Sequence, residues 1–332
     1  MRLGRFCDII ADRRNRPRGF RRLRGDLSDG RFSVKPQSLI KGTPLAGSLG
    51  ATLTLVLWAT LASAQQPAAR TAAGCPTEPA KFHPCALEKM KTFNPPRTAD
   101  GRPNLQGYWE RSVTSQDIEE HGAGFGQQAG PSLVIDTPDR KIPYQPWALE
   151  IRKGMVERFI SPLASCFPPG VPRHVYAPAG HQILQTPGYV VHLLEYSHSY
   201  RVIPTAGGPH AADTVRLFQG DSRGRWDGNT LVVDVTNANG LTWLDNAGNF
   251  YSNALHVVER FTLVDADTIH YEARVEDAKV YTRPWTMAFA LTRNKDAGFE
   301  LLEQACHEGN YSIENSLSIG MKPYRGVAPP GR

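Results

Sequence analysis

Between residues 225 and 293 the chain reads RWDGNTLVVDVTN, then LHVVERFTLV, DTIHYEARVED and YTRPWTMAFALTR, four extended runs separated by turn-forming residues. Runs in which β-branched and aromatic residues alternate with polar ones specify strands, because successive side chains of a strand point to opposite faces. Asp227-Gly228-Asn229 and Asp265-Ala266-Asp267 supply tight-turn chemistry between them. Strands at short, even spacing with little helix between them argue against a parallel α/β sheet. The expected class is all-β, an antiparallel lipocalin-like barrel or β-sandwich with one flanking helix and long proline-rich loops.

The segments upstream extend this pattern. Turn residues 98–105 deliver Gly107-Tyr108-Trp109 into a first strand, and residues 181–185 and 189–196 form a hairpin across Thr186-Pro187-Gly188, followed by an extended piece at 200–204. The G-x-W at 107–109 resembles the lipocalin opening, in which the Trp plugs one end of the barrel. A helix is predicted over 146–159, with Pro146 in its first turn and Trp147, Ile151, Met155 and Phe159 on one stripe. Residues 161–178 are too rich in proline for regular structure and should wrap the surface.

The N-terminal region has a different character. Arginines crowd residues 1–41, an apolar run follows at 45–61, and Ala62-Ser63-Ala64 is a small-residue cleavage site. This is the pattern of a basic leader and secretory signal peptide over 1–64. The apolar run is broken by glycine and makes a poor membrane anchor, so no stable membrane span is expected. Residues 65–96 read as linker, 97–320 as a single barrel domain and 321–332 as a disordered tail. The leader holds twelve Lys or Arg against four Asp or Glu; the remainder holds 26 against 28, a net charge of −2. The basic whole-chain balance is therefore no sign of nucleic-acid binding. Oligomeric state is not legible.

Beyond the leader four cysteines remain, Cys75, Cys85, Cys166 and Cys306. An even number in an exported chain predicts two disulfides, with three connectivities open. Cys75 with Cys85 and Cys166 with Cys306 is the favoured pairing. Ala72-Ala73-Gly74-Cys75 also reads as a lipobox, which would make Cys75 a lipid carrier. The destination is periplasmic or secreted.

The residues TADGRPNLQGYW at 98–109, CFPPGVPR at 166–173, GRWDGNTLVVD at 224–234, LHVVERF at 255–261, YTRPW at 281–285 and CHEGN at 306–310 together resemble a large uncharacterised family of exported proteins of soil bacteria. The resemblance covers residues 97–312 and brings no activity with it. That family often has His-Ser before the Leu-His run, where this chain has Tyr251-Ser252.

Alternation along 281–291 places Tyr281, Arg283, Trp285, Met287, Phe289 and Leu291 on one face, an apolar aromatic surface with one guanidinium, as a small-molecule pocket requires. Trp285 and Phe289, with Trp243 and Arg260, are candidate ligand contacts, with ordinary core packing as the alternative. His256 beside Asp245, with Tyr281 and Arg283, is the candidate catalytic set, the imidazole serving as general base. His192 and Glu195 fall on opposite faces of a strand, so no metal is expected there, and no cofactor fingerprint, P-loop or Gly-x-Ser-x-Gly elbow is present. The expected function is binding of a small apolar or aromatic molecule. The alternative is a cofactor-free lyase, isomerase or hydrolase acting on a small plant-derived or aromatic compound in the same pocket.

Overall fold

The computed structural model describes residues 71–113, 116–124 and 128–328. The leader and signal peptide expected over 1–64 lie outside them. In chain order the elements are α1 (Pro79–Met90), β1 (Gly107–Arg111), α2 (Pro146–Arg152), α3 (Met155–Arg158), β2 (Phe159–Ile160), α4 (Arg173–Tyr176), β3 (His181–Thr186), β4 (Tyr189–Leu194), β5 (Ser199–Pro204), β6 (Asp221–Asp227), β7 (Thr230–Thr236), β8 (His256–Asp265), β9 (Thr268–Glu276), β10 (Trp285–Arg293), α5 (Ser312–Ser318) and β11 (Lys322–Pro323).

Nine strands form one antiparallel sheet in the order β5-β4-β3-β1-β10-β9-β8-β7-β6, curled into a nearly closed barrel. The all-β expectation holds. The 225–293 meander supplies five neighbouring strands, with Gly228 at φ 58° in the β6–β7 turn, where glycine relieves the left-handed strain. β5 and β6 face each other without a backbone ladder among the described residues, and side chains shut the seam. Gly224 permits this closeness: a Cβ there would stand 2.9 Å from Ile203 Cγ2 and 3.0 Å from Thr205 Cγ2.

The interior is filled by alternate residues of the strands. Leu231, Val233 and Val235 of β7, Val257 and Phe261 of β8, Tyr271 of β9 and Trp285, Met287, Phe289 and Leu291 of β10 are all buried in one continuous core. Trp109 is part of this core: it is fully buried, its indole N–H donates to the Leu105 carbonyl at 2.8 Å, and the Arg293 guanidinium sits 4.2 Å from its ring centroid.

Three expectations about the segments around the barrel are corrected. The 65–96 linker contains α1, whose face of Phe82 and Ala86 packs on Val264 and Ala290 of the barrel's outer wall. Burying Phe82 completely contributes about 2–3 kcal/mol. The Pro84 inside this helix hides it from pattern reading, while Pro79 in its first turn favours it. The helix expected over 146–159 is two short ones, because Gly154 between them leaves helical backbone at φ −119°, ψ 21°. Phe159 then enters β2, which pairs in parallel with β11, so the segment expected to be a disordered tail is partly ordered, with Tyr324 and Val327 packed on the core.

The disulfides are Cys75–Cys85 and Cys166–Cys306, each with a Cα–Cα separation of 5.8 Å. The first staples the approach to α1. The second ties the proline-rich wrap to the loop beyond β10 rather than to a strand. Two such bonds fit an oxidising compartment. No helix among the described residues is long and apolar enough to cross a membrane.

Candidate functional site

A buried polar cluster lies among the apolar side chains of the barrel. Arg201 points inward from β5 and meets Glu259 of β8 as a two-pronged ion pair, Nη1 to Oε1 at 3.1 Å and Nη2 to Oε2 at 2.5 Å. Their side chains are 2% and 0% exposed, so the pair is fully desolvated. Tyr271 donates its hydroxyl to Glu259 at 2.8 Å, and Arg201 donates across the β5–β6 seam to Ser222 Oγ at 3.0 Å. Burial first, and then the Glu259 charge, hold the Tyr271 phenol well above its ordinary range. Arg201 Nε has no partner among the described residues.

Three buried histidines adjoin this pair. His192 Nε2 lies 3.2 Å from His181 Nδ1, and the His174 ring stands edge-on to His192 with centroids 4.8 Å apart. The register sets His181 and His192 as diagonal neighbours, since His181 pairs with Leu194 and Ile183 with His192. α4 brings in His174, whose Nδ1 is 2.9 Å from the Gln219 amide. Burial lowers all three pKa values, with the Arg201 charge adding to the effect on His174 and His192. His181 is lowered to about 4 by burial, the Ala177 carbonyl partly opposing this and Arg111 adding to it. That carbonyl lies close enough to favour the protonated ring yet does not meet hydrogen-bond geometry with His181 Nε2. Burial thus holds the three rings in their neutral form at pH 7.

Beside this cluster, at the rim where β1 ends and β3 begins, is a cleft of about 1030 Å³. Arg111 lines it and also acts electrostatically on Tyr176 and His181, so its guanidinium links cleft and histidine cluster. Ala179 and Gly180, which lead into His181, form part of the wall. Opposite runs the segment after β10, whose Phe299 packs edge-on against Tyr108 with centroids 5.1 Å apart. Phe299 and Leu302 supply apolar surface, while among the described lining residues Glu110, Glu195, Asp296 and Glu300 set four carboxylates against one guanidinium.

The structure disperses the residues singled out from sequence. His256 and Arg260 share a strand face, but it is the outer wall, since Val257, Glu259 and Phe261 point inward. His256 Nε2 lies 3.0 Å from Asp234, not beside Asp245. Arg260 stands 4.0 Å from both Asp227 and Glu272. Asp245 is fully buried and spent on structure: it accepts from the Ile118 amide at 3.0 Å, the Asn249 amide at 2.9 Å and Asn249 Nδ2 at 2.5 Å. Burial, then the neighbouring Asp117, raises its pKa. Tyr281 is buried and donates to the Phe250 carbonyl at 2.9 Å. Arg283 is exposed and bonded to the Pro284 and Asp136 carbonyls, because β10 begins only at Trp285 and strand alternation does not reach back to it. Trp243 packs on Tyr324. Trp285 and Phe289 are fully buried, Trp285 against Tyr281 and Phe289 against Tyr271, so the core alternative describes them.

Arg111, Arg201, Glu259 and the histidines were missed. Inward polar residues break the apolar alternation of their strands, a signal visible as Ser-Tyr-Arg-Val-Ile at 199–203 and His-Val-Val-Glu-Arg-Phe at 256–261. One group among the described residues has metal-ligand spacing, His83, His270 and Glu272, on the outer wall beneath α1. In comparison with known proteins, no family model, curated protein or solved structure matched the chain.

Proposed function

We propose that this is an exported binding protein whose rim cleft, rather than its barrel core, holds a small aromatic or apolar molecule that is neutral or cationic. The observation that carries this reading is the cleft itself, large enough for a drug-sized ligand, with Phe299 and Leu302 as apolar contacts and Arg111 as its one cationic donor. Four carboxylates on the lining disfavour an anionic ligand, because like charges repel. A hydrogen-bond acceptor on the ligand would meet Arg111. Two disulfides support export to the periplasm or beyond.

Native mass spectrometry of protein purified from its own compartment tests this, backed by thermal shift with neutral, cationic and carboxylate-bearing aromatic compounds. A ligand at a hundred times its Kd raises stability by about 2.7 kcal/mol. Phe299→Ala should abolish the shift seen with neutral and cationic compounds. A retained anionic molecule, or a shift unchanged in Phe299→Ala, refutes the assignment.

A second reading, a cofactor-free lyase, isomerase or hydrolase, is favoured by the neutral His181 behind the cleft wall and coupled to Arg111. A base lowered to about 4 stays unprotonated through neutral pH. Any turnover found would be independent of pH from about pH 5, one unit above that pKa, to about pH 8, and would vanish in His181→Asn.

A further inference from the structure

We propose that His83, His270 and Glu272 form a binding site for a divalent transition-metal ion of the zinc class, set between α1 and the outer wall of the barrel. His83 Nδ1 faces His270 Nε2 at 3.0 Å, and Glu272 Oε2 lies 3.8 Å from the same His83 nitrogen. The three ligand atoms all lie within 4.8 Å of one another. Ligands about 2.0–2.1 Å from a tetrahedral ion sit roughly 3.3–3.4 Å apart. The two measured separations straddle that value, so small side-chain rotations complete the geometry.

The scaffold holds these groups in place. His270 and Glu272 are two residues apart on β9 and therefore project from the same face. His83 comes from α1, with Cys85 two residues on closing the Cys75–Cys85 disulfide, so the helix is fixed against the sheet by both packing and a covalent bond. Phe82 packs on the His270 ring at 5.6 Å between centroids and limits its freedom.

The charges around the site also call for a cation. Among the described residues, the side-chain nitrogens facing Glu272 are His83 Nδ1 at 3.8 Å and Arg260 Nε at 4.0 Å, neither at hydrogen-bond distance. Asp136 adds negative potential at His83. With an ion, both nitrogens and the carboxylate become donors at once. Two imidazoles and one carboxylate suit zinc, copper or nickel and not calcium or magnesium, which favour oxygen. His83 and Glu272 are 22% and 23% exposed in their side chains, which leaves an entry path and a fourth position for water.

The test is calorimetric titration of chelator-treated, disulfide-intact protein with Zn2+, together with the visible ligand-field spectrum of the Co2+ form. One ion per chain with a tetrahedral Co2+ spectrum is expected. His83→Gln and Glu272→Gln, both at partly exposed positions and checked for fold by circular dichroism, should each weaken Zn2+ binding by at least roughly tenfold, the scale on which even outer-shell losses act. His256→Gln, with its separate Asp234 contact, should leave it unchanged. Absence of stoichiometric Zn2+ binding overturns the proposal. So does binding that survives in both His83→Gln and Glu272→Gln, or binding lost in His256→Gln, which would place the ion elsewhere.

Discussion

Replacing Glu259 by Gln should be among the most damaging conservative changes this barrel can suffer. Arg201 and Glu259 are 2% and 0% exposed, and the Gln leaves a guanidinium in the core with no counter-charge. Breaking one partner of a buried pair costs about 3–5 kcal/mol, and for a chain of this size that lowers Tm by roughly 6–20 °C. Arg201→Met is the reverse experiment and has a different pH signature. The stranded carboxylate can take a proton, whereas a guanidinium cannot shed one. Arg201→Met should therefore lose less stability at pH 5 than at pH 8, while Glu259→Gln should show no such relief. The double variant Arg201→Met, Glu259→Leu removes both charges and should recover most of the loss, leaving the Tyr271 hydroxyl without its acceptor at about 1–3 kcal/mol. Adding Tyr271→Phe should restore that remainder. Urea unfolding at both pH values gives the coupling energy from the cycle. Single-variant costs under about 1 kcal/mol, or purely additive effects, would refute the buried pair.

Acid should weaken the fold through His181, whose pKa is lowered to about 4 from 6.5. Between those values the unfolded chain binds a proton that the folded chain refuses, so stability present above pH 6.5 is lost as pH falls, by about 2 kcal/mol at pH 5; Asp245, raised by burial, works in the opposite sense. His181→Asn should flatten the Tm-against-pH curve over this window, and parallel curves would sink the idea. Replacing Cys166 and Cys306 by Ser should free the segment carrying Phe299 and Leu302, so that ligand-induced thermal shifts vanish and limited proteolysis cuts after β10 while the core sheet persists by circular dichroism. Arg111→Gln should lower affinity for acceptor-bearing neutral aromatics by about tenfold, the worth of one charge-assisted hydrogen bond near 1.5 kcal/mol, with little effect on purely apolar ones.

The strands were legible because each is a local pattern: the 225–293 runs, the Gly107-Tyr108-Trp109 opening and the 181–204 hairpin all carry their own period and turns. The cysteine count predicted two disulfides and left three connectivities open, of which the favoured one is formed. The site was not legible for two physical reasons. Alternation groups His256 with Arg260 but does not say which face is inside; only the packing of Val257 and Phe261 decides it. Asp245, in a loop, finds its partners in Ile118 and Asn249, and no periodicity governs a loop. Arg201 and Glu259 are 58 residues apart, and His83 and His270 187, distances at which one sequence holds no pairing signal.

The seam between β5 and β6 bears on solubility as much as on shape. Each is the last strand of the sheet, and the outer edge of each carries backbone donors and acceptors outside any ladder. Unpaired edges of this kind template aggregation by recruiting strands from other molecules. Here each edge is shielded by the other, and the missing side chain of Gly224 lets them come that close. Any larger residue at 224 would wedge the two edges apart and present both to neighbouring chains, so this one glycine protects the protein from itself.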